Sequence, residues 1–309
     1  MAQWIDEPTE ATLKRAIFES TVPGWSTMDA FSARVQAWKL AGFDTVFLQV
    51  DAGTGACWES TIVPADPRVD LAQEPLRRQV DACHDAGLAV VLVFSTALHA
   101  TWLTPSVRPE YVGTIPILYS FWNADFRAWK SDVIAECVRL VDADGVALDY
   151  LRTGREAQGD ELPAATAVSD FLRLVRGKLD GSCPLMNLNN AVYAQSRREG
   201  VEIQAWLDAG LIDQMAVFEY GRPFPAARLS GLDASRLWVI TGNYTMVNGV
   251  ATAQSGLDVA KAWRQVRQTT APYGVGLYLA NLLTDEQARH VRYVRDSSSD
   301  DSRRPYWEL

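Results

Sequence analysis

Cysteine is scarce in this chain of 309 residues: Cys57, Cys83, Cys137 and Cys183 stand far apart, and no two form a CxxC pair. That spacing excludes a zinc ribbon or a dithiol redox centre and leaves free, mostly buried thiols. Histidine is scarcer still. His84, His99 and His290 are the only three, too few and too scattered for a His-rich metal centre or a nucleophile and base triad. Basic residues are outnumbered, 29 Lys and Arg against 38 Asp and Glu, giving a net charge of −9. A surface that neutralises phosphates needs clustered Lys and Arg, so nucleic acid is set aside as a partner. No run approaches the roughly 18 uninterrupted apolar residues of a membrane-spanning helix. The amino end, MAQWIDEPTEATLKR, has neither a basic n-region nor an apolar h-region. The expectation is a soluble chain with no membrane partner and no visible export signal, cytoplasmic or released by a non-classical or phage route. Nucleotide signatures are missing too: Gly274-Val275-Gly276 lies inside a strand pattern, and AGTG at 52–55 lacks the P-loop lysine. With no cofactor expected, the chemistry falls to carboxylates.

What is present is alternation of two periods. Short β-rich apolar runs, RAIFES (15–20), DTVFLQV (44–50), LAVVLVF (88–94), GVALDY (145–150), PLMNLN (184–189), DQMAVFEY (213–220), LWVITGN (237–243) and GVGLYLA (274–280), read as strands. Between them lie amphipathic stretches over 28–41, 75–86, 125–141, 164–179, 201–209, 256–270 and 285–294, with a weak sixth connection over 225–235. Ala41-Gly42, Ala86-Gly87 and Ala209-Gly210 supply helix stops. Eight strands with eight crossovers close naturally as a single α/β chain, a (β/α)8 TIM barrel over 1–296, and the chain is long enough for one such barrel of about 250 residues plus decorations. The polar stretch 297–309, which contains SSSDDSRR, reads as a solvated tail.

In such a barrel the side chains at the carboxyl ends of strands converge over the mouth. Four carboxylates fall there: Glu19, Asp51, Asp149 and Glu219. An ionised carboxylate in an apolar strand costs several kcal/mol unless it is paired or wet. Buried salt bridges, such as Asp149 with Arg152 or Glu219 with Arg222, are the plain explanation; four on one rim favour a site. Asn187, Asn189, Asn190, Tyr220, Asn243, Tyr244 and Asn281 gather at the same level, and amides and phenols beside carboxylates suit a polyhydroxylated ligand. The chain holds 11 tryptophans. Trp25, Trp58, Trp102 and Trp122 fall in loops on the mouth side, where flat indoles stack on the apolar faces of sugar rings, whereas Trp38, Trp129, Trp206 and Trp263 sit at helical spacing and read as packing.

Several phrases, taken in order, resemble the family 10 glycosyl-hydrolase-like proteins, TIM barrels distantly akin to family 18 chitinases. They are AGFDTVFLQVDAGTGACWESTIVP (41–64), PLRRQVDACHDAGLAVVLVF (75–94), FWNADFRAWKSDVIAECVRLVDADGVALDYLR (121–152) and EIQAWLDAGLIDQMAVFEY (202–220). The resemblance implies a carbohydrate-cleaving barrel, and Asp149 and Tyr220 are the positions that carry over. Asp51 stands where the family has Arg, and Leu151 replaces the catalytic Glu of a chitinase.

The function expected from these residues is glycoside hydrolysis of a polysaccharide or oligosaccharide by two carboxylates, without a cofactor or metal. Asp149, beside Tyr150 and Arg152, is expected to stay ionised as nucleophile or base, and Glu219, flanked by Phe218 and Tyr220, to be the acid. Glu19, Asp51, Trp58, Trp102, Trp122, Arg152, Asn187, Asn189, Tyr220 and Asn243 are the expected substrate contacts. The alternatives are a non-catalytic carbohydrate-binding barrel of a surface or phage particle, and a metal-dependent lyase or aldolase with Asp51, Glu19 and Asp149 as ligands.

Overall fold

Strands covered on both faces are apolar almost throughout, because one face looks into the barrel and the other at the helices. The computed structural model describes residues 13–296 apart from 25, 52–54, 99–107, 114, 116, 154–160, 180, 191–193, 195 and 220–225. Its strands are β1 (Lys14–Glu19), β2 (Thr45–Asp51), β3 (Ala89–Ser95), β4 (Gly145–Asp149), β5 (Leu185–Asn190), β6 (Gln214–Glu219), β7 (Leu237–Gly242), β8 (Tyr244–Val247), β9 (Val250–Ala253) and β10 (Gly274–Tyr278). Eight of them, all but β8 and β9, form a closed parallel barrel in the order β1-β10-β7-β6-β5-β4-β3-β2. Every run expected as a strand is one of these eight. The expected polar tail and the first 12 residues lie outside the described residues.

The helices are α1 (Met28–Leu40), α2 (Pro75–Asp85), α3 (Ala124–Leu140), α4 (Glu161–Lys178), α5 (Ile203–Asp208), α6 (Gly256–Thr270) and α7 (Asp285–Asp296). Their starts follow local chemistry. Thr27, Asn123 and Ser255 each cap a helix by accepting from a backbone N–H of its first turn. The weak sixth connection makes two 3-10 turns, Ala226–Leu229 and Ala234–Arg236. Gly231, at φ 85°, lies between the two turns.

A hairpin absent from the sequence reading follows β7. Strands β8 and β9 pair antiparallel around Asn248 and Gly249, at φ 51° and 79°. Positive φ at both turn residues is the geometry that Asn-Gly favours, so the signal was in the sequence.

Large and small residues share the barrel interior: Ala16, Ala147, Ala216, Gly274 and Gly276 leave room for Phe18, Phe47, Met186, Leu188, Phe218 and Ile240, while branched residues one position away pack under the helices. Trp238 adds further bulk, its ring meeting Phe47 of β2 at 5.6 Å, across the barrel from β7. Gly274 is required beside it, since a Cβ there would lie 2.3 Å from the Trp238 ring. Cys57, Cys83 and Cys137 are buried and all four cysteines are free thiols.

Candidate active site at the barrel mouth

Strand alternation decides which residues at the carboxyl ends reach the mouth. Ala147 belongs to the interior cluster and Leu148 to the outer one, so Asp149 points inward. The same parity turns Gln49, Ser95, Asn190, Phe218 and Tyr278 inward. Phe18, Phe218 and Tyr278 form a floor of mutually edge-on rings with centroids 5.0–5.4 Å apart. Phe18 and Phe218 come from β1 and β6, which are not neighbours in the wall, so they meet across the interior. Tyr244, at the base of the hairpin, continues this surface with its ring 6.3 Å from that of Tyr278. Ser95 stands beside Asp149 in register and accepts from Gln49 Nε2 at 2.9 Å. Gln49, Asp149, Asn190, Tyr244 and Tyr278 are all partly exposed.

Burial pushes the Asp149 carboxyl from 3.8 up to about 6, against a hydrogen bond from the Tyr150 N–H (2.7 Å to Oδ1) and the field of Arg152. Desolvation outweighs Arg152 because that guanidinium is engaged elsewhere. It lies over the Tyr150 ring at 4.5 Å and donates to Asn189 Oδ1 at 3.0 Å. The shift brings the Asp149 carboxyl within about one unit of neutral pH, so that it can both hold and release a proton there. The same burial, followed by the fields of Tyr244, Asp149 and Tyr150, pushes the Tyr278 hydroxyl up to about 12, so it stays a donor.

The other three carboxylates reach the same level on the opposite face of the wall. Glu19, with the parity of Ile17, is fully buried and accepts from Arg34 Nε at 3.0 Å and the Thr21 N–H at 2.8 Å. A bulge after Gln49 turns Asp51 outward in register with Phe94, onto Lys130 of α3. Glu219 shares the parity of Val217 and pairs with Arg228 Nη1 at 3.4 Å. The expected convergence of four carboxylates is thus corrected: Asp149 faces the mouth, and the others are neutralised under the helix layer. The Glu19, Asp51 and Asp149 ligand set of the metal alternative is split between two faces. Among the described residues no group of three or more His, Cys, Asp or Glu is placed to hold a metal ion, and no described helix is long and apolar enough to cross a membrane.

The remaining expected contacts divide in the same way. Asn187 and Asn189 face outward and are fully buried. Asn243 is buried as a clamp, accepting from the Leu279 N–H at 2.6 Å and donating to Leu279 O and Gln287 Oε1. Trp58 is no platform. It is buried against Phe94 and donates to Glu136 Oε2 at 3.2 Å. Asp51 and Trp58 do come together, but in a small pocket shared with Tyr119, Trp129 and Lys130, between the β2 loop and α3. Trp122 is partly exposed in the turn before α3. Trp25, Trp102, Tyr220 and His99 lie outside the described residues. Gln49, Ser95, Phe18, Phe218 and Tyr278 were not anticipated, although for three of them a small residue two positions earlier (Ala16-x-Phe18, Ala216-x-Phe218, Gly276-x-Tyr278) marks the inward register.

No protein-family model and no curated protein matches the sequence. Solved structures match in fold. The glycoside hydrolase domain of PgaB (BpsB) from Bordetella bronchiseptica superposes with a TM-score of 0.66 at 15% identity, covering 92% of this chain and 99% of that one. The C-terminal domain of a putative chitinase from Desulfitobacterium hafniense gives 0.65 at 11%, covering 94% and 100%. The catalytic domain of a beta-amylase from Paenibacillus polymyxa gives 0.61 at 11%, covering 94% and 99%. At these identities the likeness establishes the barrel and nothing finer.

Proposed function

We propose that this chain is a carbohydrate-active barrel that hydrolyses glycosidic bonds, with Asp149 as the proton donor. The observation that carries the proposal is Asp149 itself, a mouth-facing carboxyl above an aromatic floor, raised to about 6 by burial. Glycosidic cleavage needs such a group, because the leaving oxygen must be protonated as the anomeric carbon becomes oxocarbenium-like. Asp149 gives its proton to that oxygen, and the Tyr278, Tyr244, Ser95, Gln49 and Asn190 side chains offer the donors and acceptors a sugar's hydroxyls require. The neighbours named above all carry the names of glycosidases, which favours the same class for this chain.

In the two-carboxylate scheme a second group activates water or attacks the anomeric carbon. Glu219 would have to leave Arg228 and cross to the other face of β6 to serve, so the proposal rests on Asp149. Incubation with a panel of polysaccharides and bacterial cell walls, scored for new reducing ends, tests it. Release by the parent and none by Asp149→Asn is expected. A non-catalytic carbohydrate-binding barrel is the second reading, favoured by Asp149 being the sole carboxyl among the inward-facing strand ends described. It predicts glycan binding on the same panel with no reducing ends from either protein.

A further inference from the structure

Four described non-glycine residues have positive φ: Glu74, Tyr150, Asn248 and Ala271. Three have an evident local reason. Glu74 and Ala271 flank helices, and Asn248 is a hairpin turn residue, where the left-handed conformation is a usual device. Tyr150, at φ 53°, ends a barrel strand next to the mouth carboxyl and closes no helix or hairpin. A bulky aromatic in this region is an outlier, and such outliers persist where the surroundings hold them and cluster at working sites.

The contacts show what the conformation achieves. The Tyr150 N–H turns back onto Asp149 Oδ1 at 2.7 Å. The ring lies beneath Arg152, whose own N–H donates to Tyr150 O at 2.9 Å and whose Nη1 reaches Asn189 Oδ1 at 3.0 Å. Asn189 is fully buried on the outer face of β5, so a chain of contacts runs from the rigid wall through Arg152 and the ring to the carboxyl. We infer that Tyr150 is a positioning residue for Asp149, its left-handed backbone aiming an N–H at one carboxylate oxygen. The role belongs to the backbone N–H. The inference rests on the reading of Asp149 as the working acid, and it deepens that reading by naming what orients the acid.

The test is a ¹³C NMR titration of the Asp149 carboxyl in the unliganded protein, joined to the pH profile of kcat/KM on the substrate the panel finds. Tyr150→Phe keeps ring and backbone and should titrate as the parent does. Tyr150→Val is strongly disfavoured at positive φ, so it should lose the N–H contact to the ionised form and titrate about one unit higher, with the falling limb of kcat/KM moving up equally. Tyr150→Asn and Tyr150→Gly tolerate the conformation and keep the N–H, and should shift by less than half as much. A shift in the Phe variant as large as in the Val variant would overturn the inference, as would an unmoved Val variant. If Val does not fold, the Asn and Gly variants decide: a near-parental midpoint upholds the inference and a full-unit shift defeats it. Because the titration needs no substrate, absence of activity on the whole panel would defeat the hydrolase reading and leave this one to its own result.

Discussion

Asp149 and Glu219 both close barrel strands, yet they stand on opposite faces of the wall. Asp149 follows the interior parity of Ala147, and Glu219 follows the outer parity of Val217 and pairs with Arg228. One can reach a ligand over the mouth; the other is occupied beneath the surrounding layer.

Their amide variants should therefore differ in kind. Asp149→Asn removes the proton donor and should lower turnover by roughly a thousandfold, about 4 kcal/mol of transition-state stabilisation. Glu219→Gln should cost less than about tenfold and act mainly on stability through Arg228. Reducing-end release and thermal melts of the two purified variants check this; equal losses of turnover would return Glu219 to the reaction.

The raised pKa of Asp149 makes stability depend on pH in a definite direction. Its folded value, about 6, lies above the 3.8 of an unperturbed carboxyl. The stabilising proton is fully bound below the unfolded value and is lost as pH rises through the folded one, a change of about 2 kcal/mol after allowance for its partial exposure. Asn carries no such charge, so Asp149→Asn should melt above the parent at about pH 7.5 and with it at about pH 3.5. A variant less stable than the parent at the higher pH would contradict the burial cost.

Glu136 behaves oppositely. Burial opposes its ionisation, but hydrogen bonds from Ser60, Thr61 (side chain and N–H) and Trp58 outweigh burial and hold its pKa below the usual range. Together they tie the loop after β2 to α3. With a depressed folded pKa, that stability is present above the unfolded value and is lost as pH falls through the folded one. Glu136→Gln should cost about 2–3 kcal/mol at neutral pH, and its deficit should shrink in acid. Denaturant titrations at two pH values measure it.

Trp58 and Trp122 should separate packing from binding. Trp58→Ala empties a buried site and should cost about 3–5 kcal/mol. Trp122→Ala, at a partly exposed position, should leave folding nearly unchanged and raise KM on long substrates more than it lowers kcat on short ones. A destabilised Trp122→Ala with unaltered KM would remove it from the cleft.

Much of the architecture was legible along the chain. Apolar runs such as LAVVLVF and helix stops such as Ala86-Gly87 located the eight barrel strands and most helices, because local period and caps are short-range properties. The Asn248-Gly249 hairpin was equally legible and was passed over, since its flanking strands are short and exposed. The level of the four carboxylates at the strand ends was also readable from sequence alone.

Which face each carboxylate takes was decided in three dimensions. A strand end has two sides one residue apart, and the bulge after Gln49 exchanges them for Asp51. The partners that neutralise Glu19, Asp51 and Glu219, namely Arg34, Lys130 and Arg228, come from neighbouring segments that only the closed barrel brings alongside. Arg152, three residues from Asp149, suggested an ionised carboxylate. The tertiary structure seats that guanidinium on Tyr150 and Asn189, and burial then sets the proton affinity of Asp149. Sequence determined the barrel and the height of its rim, because these follow from local periodicity; folding chose the face and the protonation, because desolvation and charge pairing depend on neighbours distant along the chain.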